Sequence, residues 1–269
     1  MIKMMKKVAC VVAALCCVGF LSAQKFVAGD VVLSDGSVVS WRSLKNKEQF
    51  PIGVVAGVNA DGSALIVGTR RSSDSIAWAI EGSTGHGTKF SAVACDLKGK
   101  RNSSGGGSAE HAEFSGATDG SKTWQEICAR DTSGTSVQNA AHTYPAFSFA
   151  QNYGAQFSLS GEYLTGWHLP SVSELCLIYK NRHAINDALR NLHRLDAALA
   201  MDGLGTNWYW SSSQSPSRAE HAWFVHFVNG YAGECPKDFT NLHALAVRTI
   251  SRENEARRGI WLHGLQSML

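Results

Sequence analysis

Several things this 269-residue chain lacks narrow its function. A helix needs about 20 apolar residues to cross a membrane, and the longest greasy run, Val8 to Leu21, falls short. No Cys-x-x-Cys and no metal-knuckle spacing occurs, which removes the common zinc modules. No Gly-Lys-Ser/Thr follows its one glycine-rich loop, so phosphate cradling has no support. A nucleophile elbow is missing, and proximity of serines to histidines in sequence does not make a triad. Without a long heptad run there is also no reason to expect more than a monomer.

The first residues are best set apart from the fold. Lys3, Lys6 and Lys7 precede the apolar run, and Ser22-Ala23-Gln24 follows it. Basic flank, short apolar core and small residues make a secretory signal over 1–23. Cleavage after Ala23 is one outcome. Processing before Cys16 or Cys17, with lipid attached to that cysteine, is the other, and it would tie the chain to an outer membrane or cell surface. Of 25 basic and 22 acidic residues, three lysines lie in this segment, leaving 22 of each. The excess charge that nucleic-acid binding wants is therefore gone. Four cysteines remain, Cys95, Cys128, Cys176 and Cys235, and they can pair in three ways.

What remains, 24–250, reads as mixed α+β. In the strand-rich part 24–97, strands at 31–33 and 38–41 flank an Asp35-Gly36 turn, and strands at 52–58 and 64–67 flank Asp61-Gly62. The segment 98–122 holds Arg101 through Gly107, polar and glycine-rich, and reads as a mobile surface loop. A short helix over 124–130 and a buried aromatic stretch over 144–153 follow. Ser171-Val172-Ser173-Glu174 has capping-box spacing and opens a helix to about 179. Ile185, Ala188, Leu189, Leu192, Leu195 and Leu199 make an apolar stripe on a second helix from about 186 to 201. Strand period returns at 208–213, at 221–228 before an Asn229-Gly230 type I′ turn, and at 244–250. The tail 251–269 could pack as a helix or stay outside the domain.

Four segments, in order, resemble one family. Gly166-Trp167-His168-Leu169-Pro170-Ser171-Val172-Ser173-Glu174-Leu175, Tyr209-Trp210-Ser211-Ser212-Ser213, Ala222-Trp223 with Asn229-Gly230, and Ala246-Val247-Arg248 carry the likeness. They resemble the formylglycine-generating-enzyme-like branch of the C-type lectin fold. Within it the chain is similar to the variable proteins of diversity-generating retroelements, the treponemal ones in particular. The resemblance implies a rigid framework that includes Trp167, Pro170, Glu174, Trp210, Trp223, Phe227, Gly230 and Arg248. It also implies a diversified ligand-binding part over 207–250, with an unknown protein as ligand.

Strand alternation suggests which residues would face the ligand. If Trp223, Val225 and Phe227 are core, Phe224, His226 and Val228 look outward. Trp208 and Trp210 share a side, and Trp208 is the expected exposed ring. Ser215, Ser217, Arg218, Glu220 and His221 belong to a loop after the serine strand. Tyr231, Glu234, Cys235, Asp238, Phe239, Asn241 and His243 lie beyond the turn. Aromatic and short polar residues without a period suit a paratope-like face. Local sequence alone favours an ordinary solvent loop, and the resemblance reverses that preference; a fixed-sequence envelope protein of the same fold, structural or carbohydrate-binding, is the runner-up.

Enzyme activity is not expected, because Cys176 and Cys235 sit in no motif that matches the paired cysteines of the branch's oxidative enzymes. His221 and His226, five apart, fall on opposite strand faces and make a poor zinc pair. The calcium-lectin triplets Glu-Pro-Asn and Trp-Asn-Asp are absent, and Asp30, Asp35, Asp61 and Asp238 assemble no oxygen-ligand loop. No cofactor is expected, and a structural cation is left open.

Overall fold

A computed structural model describes residues 25–45 and 50–251. The expected signal over 1–23 lies outside the described residues, as does the tail beyond Ser251. Among those described, no helix is long and apolar enough to cross a membrane.

The first strands are β1 (Val31–Leu33), β2 (Val38–Val39), β3 (Pro51–Val58) and β4 (Ala64–Arg71). Helix α1 (Thr84–Gly87) precedes β5 (Cys95–Leu97), β6 (Gly107–Ser108) and β7 (Phe114–Gly116). Then come α2 (Thr123–Arg130), α3 (Ala140–Thr143), α4 (Pro145–Gln151) and α5 (Tyr153–Gln156). The two main helices, α6 (Val172–Lys180) and α7 (Arg182–Leu195), lead into β8 (Trp208–Gln214), β9 (His221–His226), β10 (Tyr231–Pro236) and β11 (Leu245–Ile250). Two larger antiparallel sheets result, ordered β11-β4-β3-β1-β2 and β6-β10-β9-β8, beside a β5-β7 pair. The class is mixed α+β, as the sequence suggested.

Both early hairpins close with the same chemistry. Asp35 Oδ1 accepts from Ser37 N at 2.9 Å and Ser37 Oγ at 2.7 Å, while Asp61 Oδ1 accepts from Ser63 N at 2.9 Å and Ser63 Oγ at 2.6 Å. Gly36 and Gly62, at φ of 86° and 83°, take the left-handed position that each turn requires. Between the hairpins, β3 is buried on both faces. Val54 and Ala56 join a core with the α7 stripe residues Ile185, Ala188, Leu189 and Leu192, whereas Ile52 and Val55 join one with Phe147 and Tyr153. Burial on two sides explains why β3 and β4 read as continuous apolar runs.

Two expectations need correction. Helix α7 stops at Leu195 and does not reach 201, because Asp196 leaves helical geometry and its Oδ1 accepts from Ala198 N at 2.8 Å. The stretch 98–122 is no free loop, since it supplies β6 and β7 and buries Ala109 and Phe114. Gly106 serves close packing. A Cβ on Gly106 would sit 2.1 Å from Ala232 O, so only glycine lets this backbone lie against β10.

The four conserved-looking segments of the sequence meet in one place. Ser171 caps α6 by accepting from Glu174 N at 3.2 Å, and Glu174 Oε2 accepts from Ser171 N at 2.7 Å, completing the capping box. Ser171 Oγ then donates to Thr118 O at 2.6 Å. The register between β8 and β9 shifts between Trp210 and Gln214, which turns the buried serines into connectors. Ser212 N donates to Pro170 O at 2.7 Å, Ser213 Oγ accepts from Val172 N at 3.0 Å, and Ser211 Oγ donates to Trp223 O at 2.8 Å. His168 and Val247 exchange backbone hydrogen bonds at 2.9 Å each way, which brings in β11. Trp167 Nε1 donates to Tyr163 O at 2.8 Å, and Arg248 caps Glu162 O and Thr165 O from below.

Chemical denaturation should separate this framework from the surface. Trp223→Ala removes a sealed indole and should cost about 3–5 kcal/mol, whereas Val228→Ala, on a side chain 58% exposed, should stay within about 0.5 kcal/mol. Equal losses at the two positions would contradict the assignment.

Candidate functional site

On β9 the inward set is as alternation requires: Trp223, Val225 and Phe227 are buried in the core with Tyr209 and Ala232. Trp223 Nε1 donates to Cys95 O at 2.9 Å and meets Phe114 edge-on at 5.0 Å. The strand itself ends at His226, and Phe227–Gly230 form a four-residue turn in place of the expected two-residue one. Phe227 fills the space between Tyr179 at 5.4 Å and Tyr209 at 5.0 Å, which pulls the chain out of the ladder early. Gly230, at φ 70°, passes so close to Tyr179 that a Cβ would clash with its ring.

The opposite set departs from the simple rule. Phe224 is only 4% exposed and packs with the second core, so it is not an outward ligand-contacting residue. Trp208 covers it, the rings parallel within 5° at 5.0 Å, while Tyr231 meets its edge at 5.8 Å. What reaches solvent is therefore the covering layer. Trp208 is 36% exposed, as expected, and His226 is half-buried 4.6 Å from its ring. Burial pulls the His226 imidazole below its ordinary value. Together with Asn102, Ser104, Asn229 and Tyr231, these two rings line a hollow of about 590 Å³. Tyr231 Oη donates to Ser104 O at 2.7 Å, fixing the rim. Val228 stands exposed on the turn.

About 10 Å further along β9, three residues at strand rise, the surface becomes charged around Glu234, which pairs with Trp223. Glu234 was expected on an open face, yet its side chain is 2% exposed. Arg101 and Arg218 close over its carboxylate at 3.0 and 2.8 Å, and Arg101 also lies over the Trp223 ring. Ser215 is likewise buried, its Oγ accepting from Arg218 N at 3.2 Å, so it shapes the loop and offers nothing to a ligand. Ser217, Arg218 and Glu220 are exposed and His221 is half-buried beside them. Burial, then Arg218, holds the His221 imidazole below its usual range. Asp238 pairs with His86 at 3.3 Å, while Phe239 and Asn241 point into solvent. His243 is tied to Ser72 O at 3.1 Å and depressed by burial and by Arg71. Cys235 is half-buried against the Phe224 core.

Sequence reasoning missed Lys237. Its side chain is wholly buried, with Nζ donating to Gly85 O at 2.7 Å, Thr88 O at 3.2 Å and His86 O at 3.4 Å. The Trp78 ring lies 4.5 Å away and Phe90 5.3 Å. Gln214 completes the knot: its Nε2 donates to Thr88 O and Ala219 O, and its Oε1 accepts from Phe90 N. These two side chains fasten the 215–221 and 237–243 segments to α1. A lysine between proline and aspartate gives no periodic signal, so nothing in the sequence singled it out.

Chemistry on this face is limited. All four described cysteines are free, so none of the three pairings forms. Burial pushes the Cys176 thiol up to about 12 and raises Cys95 and Cys235 as well. A buried neutral thiol is a poor nucleophile and metal ligand. One group of side chains could hold a cation: Asp119, His168 and Glu174, whose ligand atoms lie within 4.8 Å of one another. Glu174 is already occupied there, with Oε2 on the Ser171 and Gly120 amides and Oε1 3.2 Å from His168 Nε2. The cluster thus serves the α6 cap.

The fold and this face define an α+β protein with an aromatic hollow at one end of a four-stranded sheet and a charged rim at the other. No family model matches the chain, and no curated protein does. Among solved structures it is similar to a fimbrial protein from Bacteroides ovatus, at 15% identity and a TM-score of 0.49. That match covers 82% of this chain but 48% of the other, so the chain spans about half that protein's length.

Two measurements follow from the buried groups. Burial lowers the Lys237 amine to about 7 from 10.5. From about pH 7 to 8.5 the unfolded chain then holds more protons than the folded one, and this group makes stability rise with pH. Urea unfolding should show wild type gaining on Lys237→Met across that window; a constant gap would contradict the buried amine. Iodoacetamide at pH 8 should leave Cys95, Cys176 and Cys235 unmodified in native protein and label all three in urea. Rapid native labelling of Cys176 would refute a sealed thiol.

Proposed function

We propose that this chain is an exported, non-catalytic ligand-binding protein of the C-type lectin fold, in its formylglycine-generating-enzyme-like branch. We further propose that it is a variable protein of a diversity-generating retroelement, displayed at the cell surface, monomeric, and binding a protein ligand. A basic and apolar N-terminal segment, with Cys16 and Cys17 available for lipid, supports export to an outer membrane or cell surface.

The observation that carries this reading is the split within β8, β9 and β10. Tyr209, Trp210, Trp223, Val225 and Ala232 are sealed, while Trp208, Ser217, Arg218, Glu220, Val228, Phe239 and Asn241 on the same strands and loops are exposed. Replacement at the second group, apart from Arg218 with its bond to the buried Glu234 carboxylate, leaves the packing of the first intact. Exposed Trp and Phe rings among short polar residues supply contact energy and selectivity of the kind a binding face uses. Ser211 Oγ donates to Trp223 O and Ser213 Oγ accepts from Val172 N, so these two serines join backbone segments, and all three serines of the strand are buried away from the exposed face.

Phe224 and Glu234 favour a second reading at their own positions. One is core and the other is an ion-pair hub, so both suit a fixed sequence, as in an envelope protein of the same fold with a structural or carbohydrate-binding role.

The flanking genome distinguishes the two. Diversification requires a near-copy of codons 207–250 that differs chiefly at adenines, beside a reverse-transcriptase gene; its absence leaves the fixed-sequence reading. At the protein level, replacing Trp208, Ser217, Val228, Phe239 and Asn241 together should move the thermal midpoint by no more than a few degrees. A collapse of the fold would overturn the proposal that this face is free to vary.

A further inference from the structure

The C-terminal end of β4 opens on a second hollow, of about 660 Å³, that the ligand-binding proposal does not use. Arg70 and Arg71 both line it, with His193, Asn207, Phe157 and Met201 among its other walls. Phe157 holds the Arg70 guanidinium at 5.2 Å from its ring centroid. Arg71 reaches the other way, toward the buried Tyr209 hydroxyl, which it draws down against the burial that raises that phenol to about 12.

Two features of these cations are unusual for partly buried arginines. Arg71 Nε is inaccessible to solvent and has no hydrogen-bond partner among the described residues. A buried donor left in that state is costly. Moreover, among the described residues no carboxylate lies within ion-pair distance of either guanidinium. The one acid on the lining, Asp202, is exposed at the rim. Arg70 therefore presents an unneutralised guanidinium over the apolar wall, and Arg71, whose guanidinium is shared with the Tyr209 hydroxyl, adds a second positive charge to the same concave site.

We infer that this hollow binds an anionic group, a carboxylate, sulfate or phosphate monoester, on a small ligand whose apolar part lies against Phe157 and Met201. Guanidinium forks match the oxygens of such groups with paired, charge-assisted hydrogen bonds, and the hollow has the size of a small-molecule pocket. The inference does not depend on the β8–β10 face and stands if that reading fails.

Thermal unfolding of the purified protein in sodium sulfate, phosphate or acetate, each against sodium chloride of equal ionic strength, tests it. A ligand that binds only the folded state raises the midpoint with its concentration. At least one of the three anions should raise it by several degrees, saturably, beyond chloride. Acetate alone would assign a planar carboxylate, and sulfate or phosphate alone a tetrahedral oxyanion. Arg70→Gln and Arg71→Lys should each weaken that anion at least tenfold, the second because an ammonium lacks the fork. The inference is overturned if all three anions match chloride, or if both variants keep the wild-type response.

Discussion

Three consecutive serines in a bulged strand hold this molecule together. At Ser211, Ser212 and Ser213 the β8–β9 ladder loses its regular register, and the freed groups are spent elsewhere. One serine hydroxyl stays with β9, one serine amide goes to Pro170, and one hydroxyl goes to the first amide of α6. Buried polar groups are costly to leave unpaired, so the bonds made here constrain one another, although the Ser212 hydroxyl has no partner among the described residues. The helix start, the cap residues Ser171 and Glu174, and the strand must therefore fit one another simultaneously. That mutual fit explains why the Trp-His-Leu-Pro-Ser and Tyr-Trp-Ser-Ser-Ser segments stand out from the rest of the chain.

With β8 anchored from behind, the other side of the four-stranded sheet carries a second, thinner packed layer with exposed residues above it. The layering is deeper than strand alternation suggests. Phe224 forms a second apolar floor, and Trp208 lies on it as the surface ring. At the charged end, Arg101 arrives from the glycine-rich segment and fixes it by ion pairing, and Lys237 arrives from the β10–β11 connection and fixes it by hydrogen bonds to carbonyls. A buried ammonium surrounded by three carbonyls and two rings specifies one arrangement of those loops, at a desolvation cost that the low amine pKa registers.

How much of this was legible in the sequence depended on the range of the interaction. The Asp-Gly-Ser turns, the capping box and the α7 stripe are local patterns; the first two were found where their residues implied, and the stripe holds from Ile185 to Leu192 but ends with the helix at Leu195. Contacts between distant segments were not legible. Gly106 looked like loop because its need for closeness comes from Ala232, more than 100 positions on. Glu234 looked solvated because Arg101 and Arg218, its partners, come from other loops. Phe224 obeyed the alternation but was covered by Trp208, an arrangement that period cannot express. Lys237 and Arg71 gave no signal at all, since an unpaired or caged cation is defined by its surroundings.

The central claim is that the serine bulge and the α6 cap open only when the whole domain does, whereas the exposed surface of the β8–β10 face moves independently. Native-state hydrogen exchange in rising denaturant measures this directly. The Ser212 and Val172 amides should exchange only with global unfolding, and the exposed Asn241 amide by small local openings. Exchange of Ser212 and Val172 through a sub-global opening, well below the global free energy, would contradict the account.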